Sequence, residues 1–156
     1  MIKNLVIYMQ FIITFLLVIA CQVNKPMFST GISQGITGTV LWYEGDLMPG
    51  INKEPVEGQP VQREIYIYEA TSLNQAKVRD DVFYEDLKST FIKKVSTDED
   101  GRFIVELEPG TYSVFVKELG GLFANTFDES GRINPVTVGS NELVRMRIRI
   151  DYKAAY

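Results

Sequence analysis

The chain of 156 residues contains no histidine and a single cysteine, Cys21. Without histidine there are no Ser-His or Cys-His nucleophile pairs, no histidine ligands for zinc, and no use of the commonest general base. With one cysteine there can be no internal disulfide. Catalysis through carboxylates, lysine or tyrosine stays open, but we expect a protein that is not an enzyme and that needs no cofactor or metal.

Basic residues are also scarce. The chain has 16 Lys and Arg against 20 Asp and Glu, which gives a formal net charge of -4. Nucleic-acid binding needs clustered cations that follow the phosphates, so nucleic acid is not an expected partner. The composition, 46% hydrophobic and 23% charged, is that of an ordinary globular protein, and we expect one core.

The N-terminal segment predicts export and attachment to lipid. Residues 1–20 are read as a signal peptide, because Lys3 precedes an apolar run that is short for the roughly twenty residues a spanning helix needs. The run ends in Leu17 to Cys21, which resembles a bacterial lipobox, so we expect lipid attachment at Cys21. The alternative is a transmembrane anchor with an incidental cysteine. Residues 21–34 are interpreted as a tether.

The centre of the chain carries the clearest strand pattern. Asp98 to Gly101 and Pro109-Gly110 are turn signals, and between them Phe103, Val105 and Leu107 recur at every second position. This pattern predicts a β-meander. Asp98 to Gly101 also resembles part of a calcium-binding EF-hand loop, but the position that requires a bidentate glutamate is Leu107. A looser calcium site at Asp98 and Asp100 stays open.

Further strands are predicted over residues 36–43, 61–70, 90–97 and 144–151. In the last strand Val144, Met146, Ile148 and Ile150 would face inward while arginines face water, as is typical of an antiparallel sheet with one solvated face. We expect an all-β, antiparallel Greek-key β-sandwich of about seven strands over residues 35–152, followed by a tail, 153–156.

Two connections interrupt the strands. Residues 44–60 form a connection long enough to be functional, although a passive crossover between the sheets is the alternative. Residues 71–87 are read as an insertion at one end of the sandwich, with a short helical turn from Asp81 to Leu87.

The candidate site is a glycine-flanked aromatic loop, because exposed aromatic and amide side chains on loops often bind sugars or peptides. Its residues are Phe123, Asn125, Phe127 and Asp128. Trp42 and Tyr43 could also stack against a ligand, or belong to the core. The acidic residues Asp80, Asp81, Glu85 and Asp86 could form an acid-base pair for glycoside cleavage; a solvated acidic surface is the plainer interpretation. Arg145, Arg147 and Arg149 could receive an acidic partner, or pair across strands.

Three short motifs resemble a known family. They are Thr97-Asp98-x-Asp100-Gly101-x-Phe103, then Leu107-x-Pro109-Gly110-x-Tyr112-x-Val114, and Gly38-x-Val40 upstream. Together they are similar to the carboxypeptidase regulatory-like domains, which are transthyretin-like (prealbumin-like) β-sandwiches. The resemblance implies a Greek-key sandwich that serves as an accessory module on a secreted or surface protein. The histidine-dependent hydroxyisourate hydrolases related to transthyretin do not fit this chain.

We therefore expect a non-catalytic lipoprotein that binds a protein or glycan partner at the bacterial cell envelope. Because no Asp follows Cys21, the resemblance to sorted lipoproteins favours the outer membrane of a Gram-negative bacterium. The alternatives are a carboxylate-dependent hydrolase and a purely structural spacer.

Overall fold

The alternating stretches of the sequence become the strands of two sheets. The structure is a computed structural model that describes residues 31–51 and 54–156, so the predicted signal peptide, Cys21 and most of the tether lie outside the described residues. Residues Ile32–Tyr156 form one compact unit. The strands are β1 (Gly35–Asp46), β2 (Gln59–Pro60), β3 (Glu64–Glu69), β4 (Lys77–Arg79), β5 (Phe83–Glu85), β6 (Phe91–Ser96), β7 (Arg102–Glu106), β8 (Gly110–Glu118), β9 (Gly121–Phe123), β10 (Pro135–Val138) and β11 (Leu143–Ala155).

The strands form a smaller and a larger sheet. In the smaller sheet the order is β11-β1-β2, and β7 also pairs with β1. In the larger sheet the order is β4-β5-β9-β8-β3-β6, and β10 pairs with β8. Seven of the strands in the described residues have four or more residues, and the others have two or three. The predicted all-β sandwich is confirmed.

The main core lies between the sheets. The residues that face it are aliphatic over most of its length: Ile36 and Val40 of β1, Ile65 and Ile67 of β3, Val114 and Val116 of β8, and Ile148 and Ile150 of β11. Each of these side chains contributes roughly 1.5 to 3 kcal/mol on burial. The inward set predicted for the last strand is therefore correct at its two most buried positions.

A second buried cluster lies on the other face of the larger sheet. It consists of Tyr84, Phe115, Ala124 and Ile133. Phe115 alternates with the inward Val114 and Val116, so its ring points away from the main core. The segment that contains Ala124 and Ile133 covers this ring. Part of the larger sheet is thus buried on both faces.

The predicted meander is wrong in its pairing. The turn at Asp98 to Gly101 exists, but β7 pairs with β1 in the smaller sheet, while β6 and β8 both flank β3 in the larger sheet. The two turns therefore carry the chain from one sheet to the other and back. Turn residues reverse the chain direction, but they do not determine which strand becomes the partner.

Three smaller expectations also fail. The last strand pairs with β1 in parallel, because one-sided alternation reports burial and not strand direction. That strand runs on to Ala155, through most of the expected tail. The helical turn predicted from Asp81 to Leu87 is instead a turn followed by β5, since Asp80 and Asp81 have left-handed φ values of 48° and 62° and close a hairpin between β4 and β5.

Candidate functional site

Phe123 does not belong to an exposed loop. Its side chain is 1% exposed, and its ring lies 6.0 Å from Phe83 and 5.6 Å from Tyr152, centroid to centroid. The glycines before it do not open a loop: Leu119 and Gly120 form a tight turn that returns the chain as β9 beside β8. A Cβ on Gly120 would lie 2.8 Å from the Phe83 ring, so a side chain at this position would require that ring to shift. The assignment of Phe123 to a partner surface is therefore wrong.

Asn125 and Phe127 do lie at the surface. The Asn125 amide donates hydrogen bonds to the Arg149 carbonyl, at 3.3 Å, and to Asp151 Oδ1, at 2.8 Å, which fastens this segment to β11. Phe127 is 47% exposed, and its backbone forms an isolated bridge with Ile133. Of the predicted loop residues, Phe127 keeps a ring available to a partner.

Asp128 stabilises a turn. Its Oδ1 accepts hydrogen bonds from the backbone amides of Ser130, at 3.0 Å, and Arg132, at 2.9 Å, and its Oδ2 accepts one from Arg132 Nε at 2.6 Å. The Arg132 backbone amide is the first cause of the lowered pKa of Asp128. These contacts occupy both carboxylate oxygens, so Asp128 has a structural role that the prediction did not foresee.

The Asp128 turn has a twin. Asp98-Glu99-Asp100-Gly101-Arg102 has the same pattern as Asp128-Glu129-Ser130-Gly131-Arg132, and Asp98 accepts the same three hydrogen bonds, at 3.0, 2.8 and 3.0 Å. Gly101 and Gly131 have φ values of +69° and +70°. The acidic residues of the suspected calcium loop thus form an Asx-type turn. Within the residues that the structure describes, no group of three or more acidic or cysteine side chains could hold a metal ion.

Among the described residues, the arginines of β11 form no ion pair with a neighbouring strand. The Arg149 guanidinium lies 3.0 Å from Asp151 on the same strand and 4.1 Å from the centroid of the Tyr43 ring, which it covers. One face of the Tyr43 ring is therefore covered by an arginine. In the described part of the chain, Arg145 and Arg147 form no ion pair and remain exposed.

An exposed aromatic surface lies on the outer side of the larger sheet. We call Tyr66, Tyr68 and Phe91 the aromatic face. The Phe91 ring is 49% exposed and lies 6.0 Å from Tyr66 and 5.4 Å from Tyr68, at interplanar angles of 53° and 70°. Tyr68 in turn packs edge-on against the buried Phe115 at 5.8 Å. The face is corrugated, and its rings are fixed by packing from below.

A polar cleft of about 470 Å³ adjoins the aromatic face at Tyr68. We call it the outer cleft; its lining includes Tyr68, Arg79, Tyr84, Glu85, Asp86 and Lys117. The Tyr84 hydroxyl is buried and has no hydrogen-bond partner among the described residues, and burial is the first cause that raises its pKa to about 12. Glu85 and Arg79 form an ion pair at 3.2 Å. The cleft therefore offers hydrogen-bonding groups beside exposed rings.

A second open cleft, of about 550 Å³, lies at one end of the sandwich and is called the mouth. On four strands, the inward-facing position next beyond the last buried aliphatic residue carries a polar or amphipathic side chain. These side chains are Trp42 after Val40, Arg63 before Ile65, Glu118 after Val116, and Tyr152 after Ile150. The pairing of β1 with β11 shifts register between Trp42 and Glu44, which inserts one extra residue into β11 next to Tyr152. Bulges of this kind redirect side chains beside sites.

Comparisons with protein-family models, with curated proteins and with solved structures found no match. The described part of the chain contains no helix with the length and hydropathy of a membrane span. The fold therefore defines the class, a two-sheet all-β sandwich, and the surfaces described above carry the functional inference.

Proposed function

We propose that this chain is a non-catalytic glycan-binding module at the bacterial cell envelope, held there by lipid on Cys21. The observation that carries the proposal is the aromatic face. Large aromatic side chains are normally buried, and a cluster of partly exposed rings on a sheet usually marks an interaction surface. Tyr66, Tyr68 and Phe91 form such a cluster.

Two features favour a glycan over a flat protein surface as the partner. Sugars present apolar C–H faces that pack on aromatic rings, and hydroxyls that need hydrogen-bond partners. Charged groups border these rings: Lys94 pairs with Glu64 at 2.6 Å and its Nζ lies 5.7 Å from the centroid of the Tyr66 ring. The outer cleft adds Arg79 and Asp86 on the other side. The tilt between the rings suits a single, twisted sugar chain better than a flat crystalline surface.

The resemblance to carboxypeptidase regulatory-like domains agrees with this role, because those domains serve as accessory modules. The lipid anchor and the outer-membrane location rest on the sequence around Cys21. A protein partner and a spacer function without a ligand are the alternatives, and both predict that no polysaccharide is retained.

The test compares two phenylalanines of almost equal exposure. Full-length protein in detergent micelles is screened against soluble envelope polysaccharides, and the affinity for a retained polysaccharide is measured for Phe91→Ala and Phe127→Ala. We expect Phe91→Ala to weaken binding about tenfold and Phe127→Ala to leave it unchanged. The reverse order would return the site to the loop predicted from the sequence. Retention of no polysaccharide would overturn the glycan proposal.

A second candidate, a hydrolase working through carboxylates, has one observation in its favour. Glu85 and Asp86 both line the outer cleft, as an acid-base pair in a concave site would. Two observations count against a hydrolase. The Glu85 carboxylate is already paired with Arg79, and Asp86, with a left-handed φ of 51°, is a turn residue after β5. Chromatography of each retained polysaccharide after long incubation distinguishes the hydrolase from the binding module. Shortened chains that form with the unchanged protein and not with Glu85→Gln would favour the hydrolase.

A further inference from the structure

The mouth of the sandwich contains a buried carboxylate whose oxygens are both occupied. The Glu118 side chain is 5% exposed; its Oε1 accepts a hydrogen bond from Arg63 Nε at 2.5 Å and its Oε2 one from the Tyr152 hydroxyl at 2.8 Å. A carboxylate held in this way does not need a further cation. The Glu118 carboxylate instead fixes the position of the Arg63 guanidinium, which also lines the cleft.

Cations outnumber carboxylates in this cleft. Arg63, Lys117 and Lys153 line it together with Glu118. Arg63 Nε and Nη1 are used by Glu118 and the Gln62 carbonyl, which leaves Nη2 without a partner among the described residues. Lys153 Nζ lies 5.7 Å from the centroid of the Trp42 ring and forms no ion pair in that part of the chain.

Two further carboxylates lie near the mouth, Glu64 and Glu44, and Glu44 is the register partner of Lys153 on β1. The pKa of Glu64 is lowered, first by its hydrogen bond from Lys94 and to a smaller extent by Lys117. Lys117 is thus partly compensated. The Arg63 guanidinium is paired with Glu118 and lies 5.9 Å from the centroid of the Trp42 ring, and among the described residues its Nη2 has no hydrogen-bond partner and Lys153 has no ion pair. In a chain with a net charge of -4, this is a local positive cleft that attracts anions.

The mouth also has an apolar strip. Leu119 lies at the tip of the hairpin between β8 and β9, lines the cleft and is fully exposed. Trp42 lines the same cleft and packs edge-on against Tyr152 at 5.2 Å. A ligand that fits this lining has an anionic group for the cations, further polar groups, and one apolar face.

We propose that the mouth binds a small acidic sugar through its oxyanion, a carboxylate or a phosphate. Arg63 Nη2 and Lys153 bind the oxyanion, Lys117 contacts it from the other side, and Leu119 packs on the sugar ring. The mouth shares Lys117 and Leu119 with the outer cleft, but none of the three rings of the aromatic face lines it, and the proposal does not depend on the glycan-binding function.

The test uses the single tryptophan of the chain, Trp42, as a reporter inside the mouth. Full-length protein in detergent is titrated with glucuronate, glucose 6-phosphate and glucose at constant ionic strength, and tryptophan emission and heat are both recorded. We expect a saturable change with glucuronate or glucose 6-phosphate and none with glucose. The difference between the two anions identifies the source of the oxyanion. Equal binding of glucose, or no saturable change with either anion, would overturn the proposal.

The variants separate a built site from general charge attraction. Lys153→Gln and Lys117→Gln each remove one cation without breaking the contacts of Glu118, and each should weaken calorimetric affinity about tenfold. Lys88→Gln is the control, since Lys88 is exposed beyond the opposite end of the β3–β6 pair. If Lys88→Gln weakens binding as much as Lys153→Gln does, the attraction is non-specific and the proposal fails.

Discussion

The Tyr152 hydroxyl donates a 2.8 Å hydrogen bond to Glu118 Oε2 and thereby joins the two sheets. Glu118 ends β8 of the larger sheet, and Tyr152 belongs to β11 of the smaller one. A buried carboxylate is tolerated only where its oxygens are hydrogen-bonded. Arg63 completes the set, so a charged group can follow directly after the aliphatic core.

Removal of the hydroxyl should change the stability of the protein in opposite directions at Tyr152 and at Tyr84. Tyr152→Phe removes a hydrogen bond to a charged group and should lower the free energy of unfolding by about 1 to 2 kcal/mol. Tyr84→Phe removes a buried hydroxyl that has no partner in the described part of the chain, and should raise the free energy of unfolding by about 1 kcal/mol. Urea denaturation at pH 7 measures both. A loss of stability in Tyr84→Phe would mean that its hydroxyl has a bound partner.

Alkaline pH should destabilise the fold through the same two residues. Burial is the first cause that raises the pKa of both Tyr84 and Tyr152 from 10.0 to about 12. Their contribution to stability is complete below pH 10, where folded and unfolded states are both protonated. It is lost as the pH rises from about 10 to 12, because the unfolded chain then releases protons that the folded protein keeps.

The measurement for this pH dependence is the urea midpoint at pH 8, 10 and 11. The double variant Tyr84→Phe/Tyr152→Phe should lose less stability between pH 8 and pH 11 than the unchanged protein does. The change in midpoint between pH values is measured within each protein, so the different stabilities of the two proteins at neutral pH do not affect the comparison. Equal losses in both proteins would refute the assignment to these tyrosines.

The strand faces could be predicted from sequence because alternation reports burial directly. Phe103 and Val105 of β7 are buried, as expected, and so are Ile148 and Ile150 of β11. Partner choice could not be predicted, because the turn at Asp98 looks the same whether the next strand stays in the sheet or crosses to the other.

The mouth escaped the sequence analysis because its residues come from four distant strands. One signal was nevertheless present. Arg63, Glu118 and Tyr152 each lie two residues from a buried aliphatic residue of a strand. Alternation therefore places each of these polar side chains on the core side of that strand. An ionisable side chain on the core side of a strand needs a hydrogen-bond partner, and three such side chains can serve as partners for one another.

Gly35 should not tolerate a side chain. Its φ is +136°, and a Cβ at this position would lie 2.0 Å from the Val105 carbonyl oxygen. Because that contact is with the backbone of β7, it cannot be relieved by a rotamer change. Gly35→Ala should lower the free energy of unfolding by about 3 kcal/mol or more. Gly31→Ala is the control, since a Cβ there would have no described atom within 4 Å. Thermal or urea denaturation of both variants should show a loss of stability in Gly35→Ala alone.

Lipid attachment at Cys21 predicts a specific mass. Protein extracted from membranes of an expressing Gram-negative bacterium should begin at Cys21 and carry the mass of two or three acyl chains, because a single chain binds the bilayer only marginally. Cys21→Ala should remove the added mass and the retention in the membrane fraction, whereas Gln22→Ala should change neither. Intact-mass spectrometry with fractionation measures both. An uncleaved chain that stays in the membrane without Cys21 would make residues 5–20 the anchor, and the lipoprotein interpretation would be withdrawn.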